Sequence, residues 1–154
     1  MKWDAEVLAF CSAHPEAGEF VRALAAWRPD AMAYFKIRAP GDQFSVRLDS
    51  EENPEGNYLE LFWDRSLGPM MIFSRWHMTG TEAACARCEA DPIPLSEKIS
   101  SLLASADRLM RDELVLVIHD EGMDFRSPDH ARPADLGRGD QVISWTGALD
   151  FRKE

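Results

Sequence analysis

Trp76 and His77, followed by Cys85 and Cys88 with two residues between them, are the side chains whose types and spacing could carry chemistry. Two thiolates at that spacing can hold half of a tetrahedral zinc site, with His77 as a third ligand and His119 or His130 as a fourth. The distance from His77 to Cys85 fits no standard finger, and no second close ligand pair accompanies the first. A thioredoxin-like pair needs its thiols at a helix N-terminus after a strand, where their pKa falls. Here "CARCEAD" is flanked by acids, which raise it. The two cysteines therefore read as free thiols in a helical turn or loop, and neither a metal nor a cofactor is expected. GxSxG, HExxH and P-loop motifs are missing, and "GRGD" is too short to cradle a phosphate. The expectation is a protein that is not an enzyme. Its alternative is a small zinc- or thiol-dependent enzyme centred on His77, Cys85 and Cys88.

A second group is acidic. Residues 49–60, "DSEENPEGNYLE", carry Asp49, Glu51, Glu52, Glu55 and Glu60 without one basic residue. Such a run is either a solvated loop or a surface that docks a basic partner through complementary charge. Tyr58, Phe62 and Trp63 follow at once, and alternate strand residues face opposite ways, so the three cannot share one core. Glu51, Glu52 and Glu55 with Tyr58 and Trp63 are the expected contact surface. Trp76-His77 and Trp145-Thr146-Gly147 sit near the ends of strands. Their plain reading is aromatics closing a sheet edge, with His77 bonded to a neighbour.

The elements that must position these groups follow from periodicity. "DAEVLAFCSAH" and "PEAGEFVRALAAW" are Ala-rich with apolar residues at helical spacing, and Pro15 suits the first turn of a second helix. From residue 31 the period becomes two. "AMAYFKIR", "QFSVRLDS", "YLELFW" and "MMIFSRWH" read as a meander of four strands, with Leu59, Leu61 and Trp63 on one face of the third and Tyr58, Glu60 and Phe62 on the other. "PLSEKISSLLASADRLM" is an amphipathic helix. "ELVLVIH" is a short apolar strand, residues 120–140 a surface loop, and "QVISWTGALDF" a last strand in which Gly147 marks a bulge or close backbone approach. The sum is an α+β fold: one antiparallel sheet of about five to six strands, with N-terminal helices and one amphipathic helix packed on it. The expectation is a single domain over 1–154.

The composition is that of an ordinary globular protein, 45% hydrophobic and 29% charged. Its charge is not: 27 acids against 17 bases give −10. A field of that sign repels nucleic acid and anionic lipid and attracts basic partners. "MKWDAEVLAFCSAH" has no apolar run of signal-peptide length, and no window approaches the roughly 20 apolar residues of a membrane span. Three cysteines, Cys11, Cys85 and Cys88, are not a disulfide framework. A cytoplasmic protein is expected.

A strand ending in "RWHM", a loop, an amphipathic helix, "ELVLVIHDEG" and a terminal "VISWTGALDF" together resemble small α+β immunity proteins of bacterial polymorphic-toxin systems. The likeness covers residues 58–151. Met78 and Thr79 stand where such families often have another His. The resemblance implies a cytoplasmic binding protein that occludes a basic toxin domain and does no chemistry itself.

Overall fold

The computed structural model describes residues 5–38, 41–52, 57–73, 76–79, 93–120 and 122–154, and for 76–79 the backbone alone. Proximity along and across the chain groups it into two compact units. One comprises 1–48 and 59–104; the other comprises 49–58 and 105–154.

The first unit opens with two helices, α1 (Ala5–Ala13) and α2 (Pro15–Trp27). The chain leaves helical geometry at His14, whose φ and ψ are −131° and 83°. Pro15 causes the break, because it disfavours helical backbone in the residue before it yet fits the first position of a new helix. A Cβ added at Gly18 would lie 3.2 Å from the Cys11 carbonyl oxygen, so the two helices approach there through a position without a side chain. Trp27 ends α2, and a 3-10 turn over Pro29–Tyr34 follows. The first strand is therefore shorter than its alternating pattern predicts. The proline at 29 starts a helical turn, and pairing begins only at residue 35.

Five strands form the sheet of this unit in the order β1 (Phe35–Arg38), β2 (Gln43–Asp49), β3 (Tyr58–Asp64), β4 (Gly68–Phe73) and β5 (Trp76–Thr79). The pairs β1–β2, β3–β4 and β4–β5 are antiparallel. The apolar run 70–77 is not one strand: Phe73 pairs with Trp76, so the chain reverses with two residues between. "FSRW" has no Gly, Asn or Pro, and periodicity alone cannot separate a long strand from such a hairpin.

Aromatic side chains join the helices to the sheet. The ring of Phe10 on α1 lies edge-on to Phe44 at 5.9 Å and to Trp63 at 6.1 Å. Phe20 on α2 lies 5.4 Å from Phe44. Leu59, Leu61, Met71 and Phe73 are fully buried. Burial of this kind is the dominant favourable term in folding.

The second unit holds a four-stranded sheet in the order β7 (Gly122–Arg126), β6 (Val115–His119), β8 (Gln141–Ile143) and β9 (Phe151–Arg152), every pair antiparallel. Val115, Val117, Ala131, Leu136 and Val142 form its core, with Phe151 packed against them. The fold is α+β as expected, but it has two sheets where one was expected. Two misread segments account for the difference. Residues 122–126 pair as β7 although they lie inside a Gly- and Pro-rich stretch. The expected last strand, 141–151, is two strands with a reversal between them. There Gly147 adopts a φ of 78° and donates its N–H to the Ser144 carbonyl at 3.3 Å.

The helix α3 (Leu95–Met110) is amphipathic as its pattern predicts; Ile99, Leu102, Ala106 and Leu109 are buried. Among the described residues no helix is long and apolar enough to cross a membrane.

Candidate functional site

The acidic loop between β2 and β3 is built from its ends inward. Asp49, Glu51 and Glu52 are exposed, whereas Ser50 and Asn57 are buried. The Ser50 N–H donates to the Asn57 carbonyl at 3.0 Å, which closes the loop across its base. The Asn57 side-chain amide then donates to the carbonyl oxygen of Ser144 at 2.5 Å. A buried amide left without a partner costs as much as a lost hydrogen bond, so this contact fixes where the loop starts and ends. Glu51 and Glu52 thus project from an anchored frame, and neither forms an ion pair among the described residues. Glu55 lies outside the described residues. Tyr58, the first residue of β3, is half-buried.

Trp63 is placed elsewhere. It exposes 3% of its surface and belongs to the aromatic core beneath α1. Five positions separate it from Tyr58, an odd number, so the pleat sends the two side chains to opposite faces. The alternation read from "YLELFW" holds, with Leu59, Leu61 and Trp63 buried and Tyr58 and Phe62 partly open.

The face carrying Glu60 is polar but closed. Glu60 pairs with the Arg38 guanidinium, whose Nε donates to Ser45 Oγ at 3.1 Å. Asp64, at the end of β3, accepts from the Ser66 hydroxyl, the backbone N–H groups of Ser66 (2.8 Å) and Leu67 (3.0 Å), and the Gln43 amide. These donors, the Ser66 hydroxyl first, hold its carboxyl below the ordinary value of 3.8. Both carboxylates serve the sheet and its turn.

The backbone of Trp76 and His77 forms β5, where Trp76 pairs with Phe73 and His77 with Ile72. Ile72 pairs in turn with Glu60, so the Cα register puts His77 in one row with that residue. The side chains of Trp76 and His77, and all of Cys85 and Cys88, lie outside the described residues. Cys11 is half-buried, and burial raises its thiol pKa against the pull of Arg22. His119 Nε2 lies 4.0 Å from Asp124, whose carboxylate is gripped by Arg126 through two bonds of 2.8 Å. Among the described residues no three His, Cys, Asp or Glu side chains converge as a metal site.

Asn57 and Ser50 anchor the base of the loop, and pattern reading misses them. Their only signal is a polar pair flanking a turn-rich acidic stretch, and the partner carbonyl lies far away in sequence. Compared with protein-family models, curated proteins and solved structures, the chain shows no match.

Proposed function

We propose that this protein is a non-enzymatic binding module, an immunity protein that neutralises a cognate bacterial toxin domain by occluding it. The acidic loop supplies the docking charge. One observation carries the reading: Glu51 and Glu52 stand exposed, without ion partners among the described residues, on a loop whose base is locked by Ser50, Asn57 and Ser144. A loop pinned at its base has less conformational entropy to lose on binding, and exposed carboxylates steer a basic partner toward it. Tyr58, half-buried where the loop enters β3, offers an amphipathic ring to the rim of such a contact. Trp63 is left out of the contact because it is buried. The net charge of −10 adds long-range attraction for a basic domain.

The test uses the product of the gene next to this protein's own, which on this reading encodes a toxin domain. Its affinity is measured at low and moderate salt for the native protein and for Glu51→Lys/Glu52→Lys/Glu55→Lys. The triple variant should bind at least about tenfold more weakly at low salt, and its salt dependence should flatten. An unchanged affinity and slope would remove the loop from the interface. Failure of the native protein to bind or inhibit that domain would remove the immunity reading itself.

A further inference from the structure

A cleft of about 290 Å³ lies wholly within the second unit, between the chain that joins β7 to β8 and the turn that joins β8 to β9. Its floor is the sheet: Val115 on β6 and Val142 on β8, both buried, with Phe151 of β9 packed against them. One wall carries two 3-10 turns, Pro128–His130 and Pro133–Asp135, each opening on a proline that lines the cleft. Proline fixes its own φ and has no N–H, so this wall is stiff and offers no backbone donor at either position. The other wall is Ala148, Leu149 and Asp150, and Leu149 keeps 39% of its surface open. The volume is about twice the roughly 150 Å³ in which an apolar protein cavity takes up benzene, which leaves room for one ring and a short chain.

The charges on the walls decide what that chain should carry. Arg132 lines the cleft, but its guanidinium pairs with Asp129, which offsets its charge. Asp150 differs. Its Oδ1 accepts the Ser144 N–H at 2.6 Å and the Ser144 hydroxyl at 3.0 Å, and Ser144 Oγ in turn accepts the Leu149 N–H at 3.1 Å. Those bonds fix the carboxylate within the turn that forms the wall. Its Oδ2 has no hydrogen-bond partner among the described residues, and Asp150 makes no ion pair among them. A positioned carboxylate with one free oxygen on the wall of an apolar cleft favours a cationic donor, and the net charge of −10 draws cations toward it. We propose that this cleft binds a small organic ammonium compound. Its apolar body lies against Val142, Leu149 and Phe151, and its N–H groups donate to Asp150 Oδ2. The site does not use Glu51 or Glu52, and it stands whether or not the protein neutralises a toxin.

The probe is phenethylammonium, with 2-phenylethanol as the uncharged isostere and ethylammonium as the cation without a ring. The methyl resonances of Val115, Val142 and Leu149 are followed by NMR in the full chain. Phenethylammonium should move them saturably, with dissociation on the order of 1 mM. The alcohol should bind about three- to fivefold more weakly, and ethylammonium should give no saturable shift. Asp150→Asn keeps an Oδ1 to accept both Ser144 bonds and removes only the charge. It should weaken phenethylammonium about three- to fivefold and leave the alcohol unchanged; if that variant does not fold, the comparison of amine with alcohol decides alone. A shift that never saturates, one spread over methyls of the whole chain, equal binding of the alcohol or of ethylammonium, or an Asp150→Asn effect that is absent or the same for amine and alcohol would each overturn the proposal.

Discussion

The side-chain amide of Asn57 donates to the carbonyl oxygen of Ser144, 2.5 Å away in space and 87 residues away in sequence. The same amide lies 3.5 Å from the Trp145 carbonyl, and both Asn57 and Ser144 are buried. One residue thus ties the base of the acidic loop to the turn that joins β8 to β9.

Asn57→Ala strips the buried Ser144 carbonyl of its shorter partner and leaves it the Gly147 N–H at 3.3 Å, so it should destabilise the protein by about 1 kcal/mol in urea denaturation. Asn57→Asp should do worse at neutral pH, because a carboxylate would face a carbonyl with no proton to share. A native-like stability for both variants would show the contact to be incidental.

Asp112 makes a second such tie at the end of α3. It adopts a φ of 54°, a left-handed value that costs a non-glycine residue roughly 1 kcal/mol. Its carboxylate accepts the Thr146 N–H at 3.2 Å and the Thr146 hydroxyl. Asp112→Ala keeps the backbone strain and loses both bonds; Asp112→Gly loses the bonds but relieves the strain. Thermal unfolding should therefore rank the native protein first, Asp112→Gly second and Asp112→Ala last. A reversed order of the two variants would mean that the strain is not felt.

Acid stability should depend on Asp64. Its folded pKa is depressed below 3.8 by the Ser66 hydroxyl and the backbone donors around it. A depressed carboxylate contributes stability that is fully present above its unfolded pKa and is lost as pH falls through its folded pKa. The native protein should accordingly lose stability below the ordinary carboxylate value. Asp64→Asn should be less stable at neutral pH and show a shallower loss in acid. Parallel pH curves for the two proteins would contradict this.

Zinc can be tested directly. Elemental analysis of the purified protein should find no stoichiometric metal, and Cys85→Ser with Cys88→Ser should change stability by less than about 0.5 kcal/mol. One zinc per chain, or loss of folding in the double variant, would revive a centre at His77, Cys85 and Cys88.

The local elements were legible from the residues because local chemistry sets them. Pro15 divides α1 from α2, the alternation of "YLELFW" assigns the faces of β3, and the apolar stripe of α3 follows its helical period. Chain reversals without a turn residue were not legible. Nothing in "FSRW" distinguishes the β4–β5 hairpin from one strand, and the prolines at 128 and 133 that follow β7 obscure a strand whose partner is β6. The first reversal adds β5 to the first sheet, whereas β7 and the reversal between β8 and β9 complete the second. At the candidate site, pattern placed Trp63 opposite Tyr58 but could not tell which face α1 would cover. That depends on Phe10, far away in sequence, meeting the indole edge-on. Asn57 was invisible for the same reason, since its acceptor belongs to a distant turn.

The burial of Trp63 between Phe10 and His14 also gives the molecule an optical gauge. An indole sealed from water emits at shorter wavelength than a wetted one. If α1 lifts from the sheet, that emission moves to the red, and subtraction of the Trp63→Phe spectrum isolates it from the other four tryptophans. The seating of one helix can therefore be followed by fluorescence, without a label and on the timescale of the motion itself.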